Sequence, residues 1–211
     1  MTRKSLIQLI QRRVAGGMQN DDSTITEGLV NLYISNGLAI AAKKNYTENF
    51  QLEGVGFVNN SYFSTFKGLV ITLDEENLYK FTLPQIPIGI GANEGLSRVV
   101  FKNADGKVSL PAIILTEGQV AIQRQMRDIP NKILCYPEGV FCYALSNIIL
   151  NNYTATATLV SGGNANDLNS VLNVPDDSIN LIIDYCVQQL MAQKITPQDN
   201  SNDGSEAINK V

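Results

Sequence analysis

Residues 174–194 read VPDDSINLIIDYCVQQLMAQK, and this stretch decides the fold because it marks the start, the period and the end of one helix. Pro175 favours a first helical turn, and the three polar residues after it supply capping oxygens and negative charge there. Lys194 lies near the opposite end of the helix dipole, and Thr196-Pro197 stops the helix.

Apolar residues in this segment recur every three or four positions, so they form one stripe along the helix. The stripe consists of Ile179, Ile182, Ile183, Cys186, Val187, Leu190 and Met191. We expect the core of the helix to be formed by Ile179, Ile182, Ile183, Val187, Leu190 and Met191. Because burial of each large apolar side chain contributes roughly 1.5–3 kcal/mol, the helix must dock on another part of the chain.

Two helices are predicted near the amino terminus, and they are the expected partners. Residues 5–15 carry apolar side chains on one side and end at Gly16-Gly17. A second helix begins at the capping box Thr24-x-x-Glu27 and runs to about Asn45, with apolar stripes on two sides. Gly37 lies inside this helix at a cost of about 1 kcal/mol relative to Ala, which indicates close packing or a bend.

The first helix is bracketed by four basic residues, Arg3, Lys4, Arg12 and Arg13. Such a cluster is typical either of a surface that meets nucleic acid or an acidic protein, or of an ordinary solvated helix face. We favour the solvated face, because the whole chain has a net charge of −4 and a sequence pI near 4.9. An acidic surface repels DNA phosphates.

Between residues 54 and 160 the hydrophobic period changes from 3.6 to 2, and turn residues arrive every eight to twelve positions. The pattern predicts three hairpins and a closing strand: residues 62–73 with 78–83, 97–102 with 107–115, 132–136 with 140–145, and then 153–160. Residues 116–128 are interpreted as a loop with a possible short helix. Residues 161–172 form a polar connector to the last helix.

These elements predict an α+β fold, in which N-terminal helices and a C-terminal helix form a bundle with an inserted antiparallel β-sheet or barrel-like region. The expected division is residues 1–50 for the first bundle helices, 51–172 for the β region and 173–195 for the last bundle helix. Residues 196–211 are polar and form a tail that is flexible unless a partner orders it.

Composition argues against several functional classes. The chain has 211 residues and no histidine, so it lacks the commonest general base and the usual zinc ligand sets. Its three cysteines, Cys135, Cys142 and Cys186, have no CxxC spacing and are interpreted as buried thiols. No run of about 18 apolar residues is present, and residues 2–13 do not resemble a signal peptide, so we expect neither a membrane span nor export.

Individual motifs give no clear catalytic signal. Gly89-x-Gly91-x-x-x-Gly95 has the wrong spacing for a dinucleotide site and indicates a loop. Asp74, Glu75 and Glu76 lie in a predicted hairpin loop, where adjacent acids are usually solvated. Cys142 would need an unusual base to act as a nucleophile. We expect no catalytic, cofactor-binding or metal-ligating residue and no enzymatic activity.

Four short patterns carry a resemblance over nearly the whole chain. They are Leu83-Pro84, Val174-Pro175-Asp176, Ile182-Ile183-x-x-x-Val187-x-x-Leu190 and Pro197-x-Asp199-x-x-Asn202-Asp203. With the order helices, strands, helix, the chain resembles the neck or ring adaptor proteins of short-tailed bacteriophages, the tail-tubular or gatekeeper type that docks on the portal. It is most similar in pattern to the ring proteins of crAss-like phages.

This resemblance implies a structural virion protein made in the host bacterial cytoplasm and located in the neck or tail. It implies a closed homo-oligomeric ring of twelve copies between the portal protein and the next tail or ring protein, with no membrane partner. Genomic DNA would pass through an acidic channel without specific binding, and neighbouring copies would cover one another's bundle and sheet edges. The tail residues Pro197, Asp199, Asn202 and Asp203 are candidate partner contacts.

Two alternatives remain open at this point. A head-completion or capsid-associated protein would share the same composition and differ only in its place on the virion. A cytosolic ligand-binding β module would hold its ligand between the sheet and the helices.

Overall fold

The computed structural model describes residues 1–16, 25–75, 78–90, 95–125 and 132–195. Within these ranges the α-helices are α1 Arg3–Val14, α2 Glu27–Glu53, α3 Glu117–Gln125 and α4 Asp176–Ile195, with a short 3-10 helix at Asn60–Tyr62. The strands are β1 Phe63–Leu73, β2 Tyr79–Thr82, β3 Leu96–Asn103, β4 Ser109–Ile114, β5 Ile133–Glu138, β6 Phe141–Leu145 and β7 Tyr153–Val160. The predicted α+β fold with an inserted barrel-like region is confirmed.

Helices α1, α2 and α4 pack together around one apolar core, as the stripe on the last helix predicts. Its fully buried members include Leu6, Ile7, Ile10, Val30, Ile34, Leu38, Ala42, Ile182, Ile183, Cys186 and Leu190. Gly37 of α2 lies against α4, because a Cβ at this position would be 3.2 Å from Ile182 Cγ2 and 3.3 Å from Tyr185 Cδ1. The inferred close packing at Gly37 is therefore present.

The start and end of α2 differ from the prediction. Thr24 lies outside the described residues, and the cap is Thr26, whose hydroxyl accepts a hydrogen bond from the Leu29 amide at 3.3 Å. The helix continues past Asn45 to Glu53, where Gly54 adopts a left-handed conformation and donates its N–H to the Phe50 carbonyl at 2.9 Å. As a result, α2 crosses the predicted boundary between residues 50 and 51.

The seven strands close into a barrel in the order β1-β2-β6-β5-β4-β3-β7, with β7 pairing back onto β1. Every neighbouring pair is antiparallel except β4 and β5, which run parallel with Ala112 opposite Ile133. The expectation of a purely antiparallel region is wrong for this pair. Helix α3 lies in the connection between them, and a crossover of this kind joins parallel strands. The possible short helix in residues 116–128 is therefore present, at Glu117–Gln125.

A second apolar core fills the barrel. It includes Phe81, Leu83, Leu96, Val99, Phe101, Ile133, Cys135, Cys142, Ala155, Ala157 and Leu159. The rings of Phe81 and Phe101 meet edge to face with centroids 6.0 Å apart. At the junction with the bundle, the backbone of Thr2 pairs with Val171, and the amides of Arg3 and Lys4 donate to the carbonyls of Ser170 and Leu168. The connector before α4 is thus tied to the amino terminus.

Candidate functional site

The predicted core residues of α4 occupy three kinds of environment. Ile182, Ile183 and Leu190 are buried in the bundle core, and Ile179 and Val187 are partly buried against it. Met191 is 41% exposed, so its assignment to the core is wrong. At 3.6 residues per turn, Met191 lies about 120° around the helix from Ile179, at the margin of the stripe.

The candidate partner-contacting tail, Pro197, Asp199, Asn202 and Asp203, lies outside the described residues. Its role stays a prediction.

The basic cluster of α1 does not form one surface patch. Arg3 is buried between α1 and α2, where its guanidinium donates to Asn31 Oδ1 at 2.6 Å and to Ser35 Oγ at 3.2 Å. Burial lowers the pKa of Arg3. Arg13 forms an ion pair with Asp184 of α4 at 3.7 Å. These contacts connect helices, which leaves Arg3 inaccessible to a nucleic acid.

An ion pair joins the acidic loop after β1 to strand β2. Lys80 Nζ donates to Asp74 Oδ1 at 2.7 Å. This hydrogen bond holds the pKa of Asp74 below its usual value and that of Lys80 above it. Glu76 lies outside the described residues, and in the described ranges no group of three or more His, Cys, Asp or Glu side chains could hold a metal ion.

All three cysteines are buried free thiols, as predicted. Burial raises the pKa of Cys186 to about 12, and burial together with the neighbouring Cys142 raises that of Cys135. Because the thiolate is the reactive form, Cys135 and Cys186 are unsuited to nucleophilic chemistry. Cys142 is also fully buried, inside the barrel, where a substrate does not reach its sulfur.

The feature that the sequence interpretation missed is the carboxyl-terminal end of α2. The last buried residue of this helix is Ala42, and Tyr46 is partly buried against the bundle core, so the final two turns extend past this core. They lead to four large apolar side chains, Phe50, Leu52, Val55 and Phe57, that are between 39% and 83% exposed. We call these four residues the α2 tip. Because these exposed apolar side chains are concentrated at one end of α2 and in the turn that follows, the α2 tip is the candidate functional site.

Side-chain hydrogen bonds hold the α2 tip in place. Asn45 Oδ1 accepts from the Asn59 amide at 2.9 Å, and Asn49 Nδ2 donates to the Phe57 carbonyl at 2.9 Å. Gly56 lies against the ring of Tyr46, where any Cβ would collide with the ring. The return of the chain after α2 is therefore fixed, and the apolar side chains are presented on a defined backbone.

A signal for this surface exists in the sequence. The spacing of the four large apolar residues between positions 50 and 57 matches neither the helical nor the strand period. This irregular spacing indicates that they pack on neither core. Because the predicted α2 ends at Asn45, the sequence analysis did not identify these residues as a surface at the end of the helix.

A small cleft lies beside the start of β3. A cleft of about 160 Å³ is lined by Ile86, Pro87, Ile88, Gly89, Ile90, Gly95, Leu96, Pro137 and Gly139. We call it the Ile86 cleft, after the residue at its rim that is 62% exposed.

The Ile86 cleft is built by a close backbone approach. The Ile88 amide donates to the Val160 carbonyl at 3.3 Å, and Ile88 and Ile90 also pack against the bundle core. A Cβ at Gly95 would collide with the Ile88 carbonyl oxygen, so glycine is required there. The predicted glycine-rich loop thus has a packing role at this position.

None of the described helices is both long and apolar enough to cross a membrane. Comparison of the chain with models of known protein families and with curated proteins found no match.

Proposed function

We propose that this chain is a structural subunit of a bacteriophage neck, which assembles into a closed ring that joins the portal to the tail and extends the DNA channel. The observation that carries the proposal is the α2 tip, a set of exposed apolar side chains on a body whose apolar cores are formed by other residues. The pattern resemblance to phage ring adaptors supplies the biological context.

The size of the α2 tip supports a role in assembly. If an aromatic side chain has roughly 150–250 Å² of surface and Leu and Val somewhat less, the tip exposes on the order of 400 Å² of apolar area. An exposed apolar area on this scale within eight residues favours a role in assembly. The hydrogen bonds that Asn45 accepts and Asn49 donates fix the returning chain at Asn59 and Phe57, which reduces the entropy that this part of the tip loses on association.

Contacts between copies in such a ring would be made by side chains. The barrel is closed, so the described strands leave no free edge for a neighbouring copy to extend. The ring proposed here therefore differs from the sequence-based picture in which sheet edges cover one another.

The charge of the chain fits passage of DNA through the ring. The net charge is −4, and a negatively charged channel wall repels phosphates instead of binding them. Genomic DNA would then move past the ring without specific contacts.

The Ile86 cleft does not support the alternative of a ligand-binding β module. Small-molecule pockets usually measure about 300–1,000 Å³, whereas the Ile86 cleft measures about 160 Å³. A head-completion or capsid-associated role would use the same assembly surface at another place on the virion.

Negative-stain imaging of the full chain mixed with the portal protein of its phage tests the proposed function. We expect an additional ring of density, coaxial with the portal. Images in which the portal is unchanged and the added chain stays as isolated particles would contradict the neck assignment.

A further inference from the structure

The charged residues of the barrel wall are unevenly distributed. Strands β4, β3, β7 and β1 are successive neighbours in the barrel, and they contain no Asp or Glu. Their outer side carries three exposed basic residues, Lys67, Arg98 and Lys102. None of the three forms an ion pair with a residue in the described ranges. Within this part of the chain, their charges are therefore not neutralised by a partner.

The register of the strands places these three basic residues around one patch. Arg98 of β3 lies opposite Thr158 of β7, and Lys102 lies opposite Thr154. Lys67 lies in the bulge of β1, level with the middle of β7. The side chains between the cations are the threonines of β7, which alternate with buried alanines. We call this patch the basic face, and it consists of Lys67, Arg98, Lys102, Thr154, Thr156 and Thr158.

The basic face has the dimensions of a short piece of one DNA strand. Arg98 and Lys102 are separated by about 13 Å at the rise of a β-strand, and β1 lies two strand spacings from β3, about 10 Å. One strand of B-DNA has a phosphate for about every 3.4 Å of the helix axis, so about 13 Å spans roughly four phosphates. The three cations can therefore meet neighbouring phosphates of the same strand.

The acidic residues around the barrel lie outside the basic face. Glu138 is at the end of β5, and Asp74 follows β1 and pairs with Lys80 of β2. The loop after β3 carries Asp105, and Lys107 lies two residues further on in the same loop. The net charge of −4 thus arises away from the basic face.

Phosphates are the anions that the side chains of the basic face favour. Arg, Lys and Thr are among the residues that bind phosphate oxygens in protein–DNA complexes, and such contacts carry no sequence information. The basic face has no aromatic ring on which a base could stack and no Asn or Gln that could read a base edge. Duplex DNA presents one negative charge for about every 1.7 Å of its axis, a denser array than the scattered carboxylates of a protein surface.

We propose that the basic face binds the phosphate backbone of duplex DNA, weakly and without sequence preference. This inference goes beyond the proposed ring and depends on it only for the source of the DNA. Three cations neutralise at most three phosphates, and the negative charge on the rest of the chain repels the same duplex. A contact this weak leaves DNA free to move past the ring.

Fluorescence anisotropy of a labelled duplex of mixed sequence, titrated with the full chain at a series of low salt concentrations, tests the proposal. We expect the logarithm of the binding constant to fall linearly with the logarithm of the salt concentration, with a slope of about −2.7. Lys67→Gln, Arg98→Gln and Lys102→Gln, made singly, should each weaken binding and reduce the size of the slope by about 1. Absence of binding at the lowest salt concentration would overturn the inference.

A matched control separates the basic face from the net charge. Lys43 is an exposed lysine of α2 that forms no ion pair with the described residues, and Lys43→Gln removes the same charge at a distance from the barrel strands. It should leave the binding constant and the slope nearly unchanged. If Lys43→Gln weakens binding as much as the three variants of the basic face, the net charge determines binding and the inference is wrong.

Competition distinguishes DNA from an acidic protein as the occupant. Poly-L-glutamate, added at the same concentration of charge as unlabelled duplex, should displace less of the labelled DNA than the duplex does. Equal or greater displacement would assign the basic face to an acidic protein surface and overturn the proposal. A ring seen by native mass spectrometry without DNA binding would overturn this inference alone. DNA binding by a chain that stays monomeric with its portal would refute the ring and leave this inference intact.

Discussion

The hydroxyl of Tyr62 donates a hydrogen bond of 2.8 Å to Ser178 Oγ, and this contact joins the start of the barrel to the start of the last bundle helix. Tyr62 is fully buried immediately before β1, and Ser178 lies in the first turn of α4. Burial raises the pKa of Tyr62, so its phenol remains a donor across the neutral range. The chain thus fixes the returning helix where the inserted barrel begins.

Removal of this hydrogen bond should weaken the junction measurably. We expect Tyr62→Phe to lower the free energy of unfolding by about 0.5–1.5 kcal/mol, because the ring still fills its site and only the hydrogen bond is lost. Ser178→Ala should cost a similar amount. In urea denaturation of both single variants and the double variant, the costs should be non-additive. Strictly additive costs would show that the two groups do not interact.

The packing of α2 on α4 should make Gly37 intolerant of larger residues. A Cβ there would already be 3.2 Å from Ile182 Cγ2, so the branched side chain of Gly37→Leu must displace α4. We expect a loss of about 1–3 kcal/mol in the free energy of unfolding. Gly28→Leu is the matched control in the same helix, since nothing lies within 4 Å of its Cβ position. Equal effects of the two substitutions would contradict close helix contact.

The two ends of the α4 stripe should respond differently to truncation. Ile183 is buried in the bundle core, and we expect Ile183→Ala to cost about 2–5 kcal/mol. Met191→Ala should cost less than about 1 kcal/mol, because Met191 is substantially exposed. Chemical denaturation of each variant measures the difference.

A charged substitution gives the sharper test of burial at Ile183. Ile183→Asp would leave an unpaired carboxylate in the core and should abolish soluble folding. Gln189→Asp, on the exposed face of α4, should remain soluble. A soluble Ile183→Asp chain with wild-type melting would show that the stripe faces water.

The ion pair between Asp74 and Lys80 should contribute to the acid side of the stability profile. The pKa of Asp74 is lower in the folded chain than its ordinary value of 3.8, because Lys80 hydrogen-bonds to its carboxylate. The stabilisation from the Asp74 carboxylate is therefore complete above pH 3.8, and it is lost as the pH falls through the pKa of Asp74 in the folded chain. In thermal melts at decreasing acid pH, the melting temperature of Asp74→Asn should fall less steeply than that of the wild type. Asp105→Asn, which removes a carboxylate from the exposed loop after β3, is the control.

At alkaline pH, stabilisation by the same ion pair has the opposite pH dependence. The hydrogen bond to Asp74 raises the pKa of Lys80 above its ordinary value of 10.5. The stabilisation from the charged Lys80 is therefore complete below pH 10.5, and it is lost as the pH rises through the pKa of Lys80 in the folded chain. Lys80→Gln should remove this alkaline component. An identical pH profile for the wild type and both pair variants would mean that the ion pair contributes nothing.

The buried thiols should be inert in the folded chain. Burial raises the pKa of Cys186 to about 12, and Cys135 and Cys142 face the barrel core. An Ellman titration should detect no thiol in the native protein and three in guanidinium chloride. Phe50→Cys should add one thiol that reacts at once. Rapid native labelling of the wild type would contradict the packing of the barrel.

The periodic segments could be predicted because their sequence pattern reports burial directly. The spacing of Ile182, Ile183 and Leu190 identifies the buried face of α4, and the alternation in residues 153–160 gives the bounds of β7 correctly. Met191 shows the limit of this reasoning, because a residue at the margin of a stripe is buried only if its partner helix extends that far.

Other features depend on contacts between distant parts of the chain. Arg3 appears in the sequence as one member of a basic surface cluster, and its burial becomes evident only from its hydrogen bonds to Asn31 and Ser35 on the neighbouring helix. The parallel pairing of β4 and β5 depends on where α3 crosses, which strand alternation does not encode. The α2 tip was missed since its apolar residues follow no period.

Native mass spectrometry of the full chain, alone and with the portal protein of its phage, tests the central claim that this chain builds a ring. The account predicts one discrete assembly at an integral multiple of 23.1 kDa, expected to be twelve copies, that dissociates more readily with Phe50→Ala. A wild-type mass of one chain in both preparations would contradict it.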